Sequence, residues 1–173
     1  MVVRSDGSIY FTDPSFGLGS PPKWKELSFN GVYRIAPGGE LVLLADDFET
    51  PNGLAFSPDE GVLYVNDTTR NHIRAFDVSD NGSISNGRVF VEMKGEETGR
   101  PDGMKVDQQG NVYCTGPGGI WIVQPDGKYL GRVMMPEQPA NFGWSDQDWK
   151  TLYITARTSI YRMRLLVPGI AIP

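Results

Sequence analysis

An all-β fold is predicted for this 173-residue chain by three observations. One phrase recurs along the sequence at a pitch of 40 to 54 residues. Turn-forming Gly and Pro, 21 and 13 residues, are spread along the whole length. No ten-residue stretch carries helical periodicity, whereas short apolar runs bounded by turn residues are everywhere. Repetition of a small all-β unit at this pitch is the signature of a β-propeller, each unit forming one antiparallel blade.

The units follow in order. The first opens with "SDGSIYFTD", a polar turn running into an apolar strand centred on Tyr10; "NGVYRIAPGG" and "ELVLLAD" supply a second and third strand. The second unit repeats the design as "DEGVLYVND" around Tyr64, then "NHIRAFDVSD" and "RVFVEM". The third reads "QQGNVYCTG" around Tyr113, "GGIWIVQPDG" and "KYLGRVMM", and the fourth reads "QDWKTLYIT" around Tyr153 and "TSIYRMRLL". The turns "PGG", "SDNG" and "PDG" between second and third strands are strong hairpin punctuation. About three and a half blades are thus expected, in a single partial propeller domain spanning 1–173. A closed propeller takes about 4 to 8 blades. An open arc exposes apolar end faces and strand edges, so self-association through those edges is an expectation.

Composition narrows the partners. Lys and Arg total 16 against 21 Asp and Glu, a net charge of −5, with no basic patch, which argues against nucleic acid. No apolar run is long enough to cross a bilayer, so no membrane partner is expected. The N-terminal "MVVRSDGSIYF" lacks the layout of a signal peptide, leaving a cytoplasmic location as the default. The lone cysteine, Cys114, forms no intrachain disulfide and reads as a buried, inert thiol in an apolar strand. The lone histidine, His72, reads as structural, which argues against a Ser-His-Asp mechanism.

A second repetition carries the chemistry. "TPNGLAFSPDEGVLYV" (50–65) and "RPDGMKVDQQGNVYCT" (100–115) superpose as one phrase, with Asn52 and Asp102 in register. Both precede the inner strand of a blade, where residues from successive blades converge on the propeller axis. An amide carbonyl and a carboxylate meeting there form a hard-oxygen pair suited to Ca²⁺ or Mg²⁺. Taken singly, PNG and PDG are ordinary turn sequences in which Pro and Gly fix a tight bend. Asn141, in "QPANFGWS", lies at a comparable but looser point and reads as a structural turn.

"DGSIYFTDPSFGL", "KELSFNGVYRI", "TPNGLAFSPDEGVLYVND", "RPDGMKVDQQGNVY" and "KTLYITARTSIYRM", in this order, resemble the SMP-30/gluconolactonase/luciferin-regenerating-enzyme family over essentially the whole chain. That resemblance implies a six-bladed, gluconolactonase-like propeller that hydrolyses lactones with one axial divalent metal, commonly Ca²⁺. It implies Asn52 and Asp102 as metal ligands, Asp102 also as the catalytic base or nucleophile, and Glu26 in "KELSFNGVY" as a substrate contact. A metal-binding Glu of the family's first blade, and an Asn-Asp pair that precedes "VVRSDGSIYFTD", have no counterpart here. The expectation is a truncated reading frame that begins at an internal methionine. Three readings follow: a metal-dependent lactone hydrolase, in which water attacks a carbonyl polarised by the axial ion; a catalytically inactive propeller fragment or binding scaffold lacking the N-terminal ligand; or a propeller of the strictosidine-synthase or NHL-repeat kind. The register of Asn52 and Asp102 favours the first over the third.

Overall fold

The computed structural model describes residues 1–19 and 24–170, and among them every regular element is a β-strand. The first sheet holds β1 (Val2–Val3), β2 (Ile9–Asp13), β3 (Asn30–Ile35) and β4 (Leu41–Phe48), and the second β5 (Pro51–Phe56), β6 (Val62–Asp67), β7 (His72–Val78) and β8 (Ile84–Glu92). The third holds β9 (Met104–Val106), β10 (Val112–Gly116), β11 (Gly119–Val123) and β12 (Tyr129–Met134). The last holds β13 (Pro139–Ser145), β14 (Thr151–Ala156) and β15 (Ile160–Arg164). Strands follow one another in each sheet in chain order, antiparallel throughout, so each sheet is an up-and-down propeller blade. The chain is an all-β propeller of four blades, the fourth with three strands. This agrees with the expected three and a half or so: the last blade lacks a fourth strand among the described residues, and the inner strand of the first blade is only Val2–Val3, paired to Tyr10 and Ile9. Two residues are too few to register as a strand in the sequence.

The recurrent tyrosine explains the pitch of the repeat. Tyr10 packs with Leu54, Phe56 and Phe76 of the second blade. Tyr64 packs with Met104 and Val106 of the third, and Tyr113 with Phe142 and Trp144 of the fourth. Each tyrosine therefore fills the core between its own blade and the next, and the phrase must recur once per blade. Two of them meet an aromatic ring edge-on: Tyr10 with Phe56 at 4.9 Å and Tyr113 with Trp144 at 5.0 Å, the arrangement favoured by ring quadrupoles. Tyr153 holds the same place in the fourth blade but is only half-buried, since no described sheet follows it.

Two of the turns between the first and second strands of a blade depart from the repeat by placing a non-glycine residue at positive φ, β13–β14 with Asp146 and Trp149 and β5–β6 with Glu60. The β1–β2 and β9–β10 turns place Gly7 and Gly110 at positive φ, whereas the β5–β6 turn places Glu60 there, at φ 56°. Glu60 is held by the first blade, its carboxylate accepting from the Ser5 N–H at 2.7 Å and from the Ser5 hydroxyl. A residue ill-suited to left-handed backbone thus gains an inter-blade tie.

Candidate functional site

Asn52 is the second residue of β5 and Asp102 lies two residues before β9, the inner strands of adjacent blades. Asn52 Nδ2 donates to Asp102 Oδ1 at 3.0 Å and to Thr68 Oγ1 at 3.2 Å. The two residues fifty positions apart are thus in contact, as the repeated phrase predicts. Both are half-buried. Burial raises the Asp102 carboxyl above the usual carboxylate range, opposed by the hydrogen bond from Asn52 and by the charge of Lys105.

The glycine in each motif does something other than turn. Pro51–Phe56 is strand, not a bend, and neither Gly53 nor Gly103 has positive φ. Their role is close approach. A Cβ on Gly53 would stand 2.1 Å from the Asp102 carbonyl oxygen and 2.7 Å from Asn66 Nδ2; one on Gly103 would stand 2.5 Å from Asn141 Oδ1. Inner strands crowd together near the axis, and only a residue without a side chain lets the next blade in. The reading of PNG as a tight turn is corrected accordingly, while PDG keeps a bend at Pro101.

A polar scaffold behind the pair went unnoticed in the sequence. Asn66, fully buried at the end of β6, accepts from Gly53 N at 3.1 Å and donates to the Asp102 carbonyl at 2.8 Å. Thr115 Oγ1 accepts from Asp102 N at 3.0 Å, Thr68 Oγ1 donates to the Pro101 carbonyl at 2.7 Å, and Thr12 Oγ1 donates to the Asn52 carbonyl at 2.8 Å. Three of these four share one address. Thr12, Asn66 and Thr115 each lie two residues beyond the repeated tyrosine, as does Thr155, whose hydroxyl donates to the Asn141 carbonyl at 3.1 Å. A hydrogen-bonding side chain at that point in four otherwise apolar strands was the available signal.

The remaining sequence candidates fall into place around this scaffold. Asn141 sits within β13, not in a turn, and its Oδ1 lies 3.4 Å from Lys105 Nζ. Pro139 pairs three residues beyond Tyr153 as Pro51 pairs three beyond Tyr64, and both strands shift register just after. Asn141 therefore stands on the position of Gly53, one residue past that of Asn52, and its match to the motif is loose. Glu26 is exposed in the segment between β2 and β3. It lines a cleft of about 220 Å³ with Asp13, Ser15, Trp24, Phe29 and Asn30, a lining that includes neither Asn52 nor Asp102. The cleft is at the same end of the propeller as the pair, because β2 ends beside Asn52 through Thr12. Cys114 is fully buried, and burial pushes its thiol up to about 12, so it is inert. His72 is buried at the start of β7 and makes no hydrogen bond with Asn52 or Asp102. Burial also lowers its pKa. Among the described residues no helix is long and apolar enough to cross a membrane.

Whether the pair suits a divalent ion follows from its donor set. Asn52 Oδ1 and Asp102 Oδ2 accept no hydrogen bond among the described residues, so two hard oxygens are unspent. These are the donor type that Ca²⁺ prefers, but that ion takes about 6 to 8 oxygens. Among the described residues no three of His, Cys, Asp and Glu gather as a metal set. The pair fits a hard cation in kind and supplies part of its shell; water, substrate or other residues must supply the rest.

Comparison with known proteins bears on the fold and the family. A gluconolactonase of Zymomonas mobilis is 38% identical over 95% of this chain, which spans 49% of that protein's length. A 6-deoxy-6-sulfogluconolactonase of Pseudomonas putida is 26% identical over 98% of the chain and 64% of its own length. The solved structure of a Xanthomonas campestris gluconolactonase superposes with a TM-score of 0.82 at 37% identity, over 97% of this chain and 55% of that one. The chain thus spans about half to two thirds of the length of these relatives. The family described as "SMP-30/Gluconolactonase/LRE-like region" matches residues 1–158, and the chain belongs to that family.

Proposed function

We propose that this chain carries the axial half-site of a metal-dependent lactone hydrolase acting on a sugar-lactone-like small molecule. The observation that carries the reading is the Asn52–Asp102 pair, hydrogen-bonded across two blades with one oxygen of each side chain unspent. Membership of a family whose named relatives are lactonases supports the reaction class. Asn52 and Asp102 would hold the ion, most plainly Ca²⁺. When bound, such an ion supplies Lewis-acid polarisation of the lactone carbonyl.

The chain's own residues account for the rest. Asn52 has no basic group, and its work is to ligate and to orient: its Nδ2 holds Asp102 Oδ1, leaving Oδ2 directed elsewhere. Asp102 acts as general base, taking a proton from the attacking water, a contribution of about 10²–10⁴-fold. Burial raises the basicity of the carboxylate, and a bound cation would act in the opposite sense. Thr115 and Asn66 fix the Asp102 backbone on both sides, through its N–H and its carbonyl, so the carboxylate is delivered at a set height in the channel. Glu26, at the same end of the propeller, would meet the polyol portion of a substrate with Trp24 and Asn30.

A second reading is favoured by one observation, the absence of a third acidic or imidazole ligand beside the pair among the described residues. In that reading the 173-residue chain is a propeller scaffold without turnover. Hydrolysis of glucono-δ-lactone, followed by proton release in weak buffer with and without calcium chloride, separates the two. Calcium-dependent turnover lost in Asp102→Asn supports the hydrolase; a rate equal to the spontaneous one supports the scaffold.

A further inference from the structure

Among the partly buried cations of the described residues, Lys105 and Arg34 meet only neutral oxygens, and of these two Lys105 stands on an inner strand beside the Asn52–Asp102 pair. Arg4, Arg74 and Arg132 each meet a carboxylate. Lys105 Nζ instead reaches two neutral oxygens, the Met104 carbonyl at 3.1 Å and Asn141 Oδ1 at 3.4 Å. Among the described residues no carboxylate lies within 4.0 Å of it. Its ammonium lies 5.9 Å from the centroid of the Phe142 ring, so one side is apolar. It stands on the inner strand β9, three residues after Asp102, and faces inner strand β13 of the next blade. Burial lowers its pKa, while the Asp102 charge acts in the opposite sense. A half-buried ammonium with no counter-ion in contact is an unspent binding group. Beside it, the Asn141 amide nitrogen makes no hydrogen bond among the described residues, although its oxygen is engaged twice.

Lactone opening supplies an anion for such a place. Water adds to the acyl carbon and the bond from that carbon to the ring oxygen breaks. The ring oxygen leaves as a hydroxyl carrying one proton of the water, and the new acid releases the other to become a carboxylate. A neutral substrate thus becomes an anionic product at the site. A fixed cation next to the reacting centre distinguishes the two.

We propose that Lys105 Nζ and the Asn141 amide nitrogen form a carboxylate subsite of the axial channel, which takes the hydroxy-acid product of lactone opening. The inference rests on the lactone-hydrolase reading for its choice of ligand. Its consequence is retention of aldonates by the chain and inhibition by product.

The test uses gluconate as probe and the unmodified chain. Cyanate carbamylates free amines, and its rate at each lysine is read by peptide mass spectrometry, with exposed Lys94 and Lys128 as internal references. Runs are made with and without calcium chloride. Gluconate is expected to slow modification of Lys105 at least threefold in one of the two conditions, with sorbitol, the uncharged polyol, having no effect. Equal rates with and without gluconate in both conditions overturn the proposal. Calorimetric titration of gluconate into the chain, Lys105→Met and Lys105→Arg gives an independent readout. Affinity should fall at least tenfold in Lys105→Met and be largely restored in Lys105→Arg; unchanged affinity in Lys105→Met overturns the proposal even if the first result held. Neither measurement needs turnover. A chain that hydrolyses lactone but leaves Lys105 unprotected refutes the subsite alone, and one that protects Lys105 without hydrolysis refutes the hydrolase alone.

Discussion

Replacing Gly53 with Ala places a single methyl group at the tightest point between two inner strands. Its Cβ would lie 2.1 Å from the Asp102 carbonyl oxygen, 2.7 Å from Asn66 Nδ2 and 3.1 Å from Met104 Cβ. The first contact is with backbone of another blade, so no flexible side chain can swing away. Relief requires the second and third blades to part, which stretches the Gly53 N to Asn66 Oδ1 bond and the Asn66 Nδ2 to Asp102 O bond. Forced overpacking costs about 1–3 kcal/mol, and a weakened buried hydrogen bond adds about 1 kcal/mol. A loss of about 3 kcal/mol corresponds to roughly 6–12 °C in Tm for a chain of this size. Urea titration followed by tryptophan fluorescence reads the change as a lower midpoint at constant slope. Gly143→Ala is the control, an inner-strand glycine of β13 whose added Cβ meets nothing within 4 Å; it should shift stability by less than about 0.5 kcal/mol. If Gly53→Ala and Gly143→Ala cost the same, the close-approach reading of the PNG motif is wrong.

Two further outcomes follow from the same geometry. Tyr10→Ala should cost about 3–5 kcal/mol, because Tyr10 is fully buried between blades and its hydroxyl donates to the Gly82 carbonyl at 2.8 Å; Tyr153→Ala, at the same repeat position but half-buried, should cost clearly less in the same urea titration. Glu137 accepts from Thr158 N and from the hydroxyls of Thr158, Ser159 and Tyr161, which lower its pKa from 4.5 to about 2, the Thr158 N–H contributing most. A carboxylate with a depressed folded pKa stabilises the fold above its unfolded value and loses that contribution as pH falls towards the folded one. Glu137→Gln should therefore melt lower than the parent at pH 6, and the gap should close between pH 4.5 and about 2.

The repeat made most of the architecture readable, because a tyrosine that fills each inter-blade core has to recur once per blade, and the turns between strands carry their own Gly and Pro. The first blade's inner strand was not readable, since Val2–Val3 is too short to show alternation. At the site, register alone brought Asn52 and Asp102 together, and the structure places them in contact. The physical role assigned to the adjacent glycines was wrong in kind: the sequence pattern of a bend and that of a crowded axis are identical, and only the position of the neighbouring blade distinguishes them. Asn66, Thr68, Thr115 and Lys105 escaped because a polar residue in a half-buried strand ordinarily faces water. Here the polar positions face another blade, and that is a tertiary fact. Asn141 matched only loosely because it occupies the glycine position of the motif, one residue past that of Asn52 and Asp102.

The central claim is that Asn52 and Asp102 form a hard-cation half-site on the propeller axis, and calorimetric titration of Ca²⁺ into the chelator-treated chain tests it most directly. The account predicts saturable binding tighter than millimolar that is abolished in Asp102→Ala and weakened in Asn52→Ala, both variants keeping the parent's urea midpoint to within about 1 kcal/mol. Binding of undiminished affinity in Asp102→Ala, or no binding in the parent chain, would contradict it.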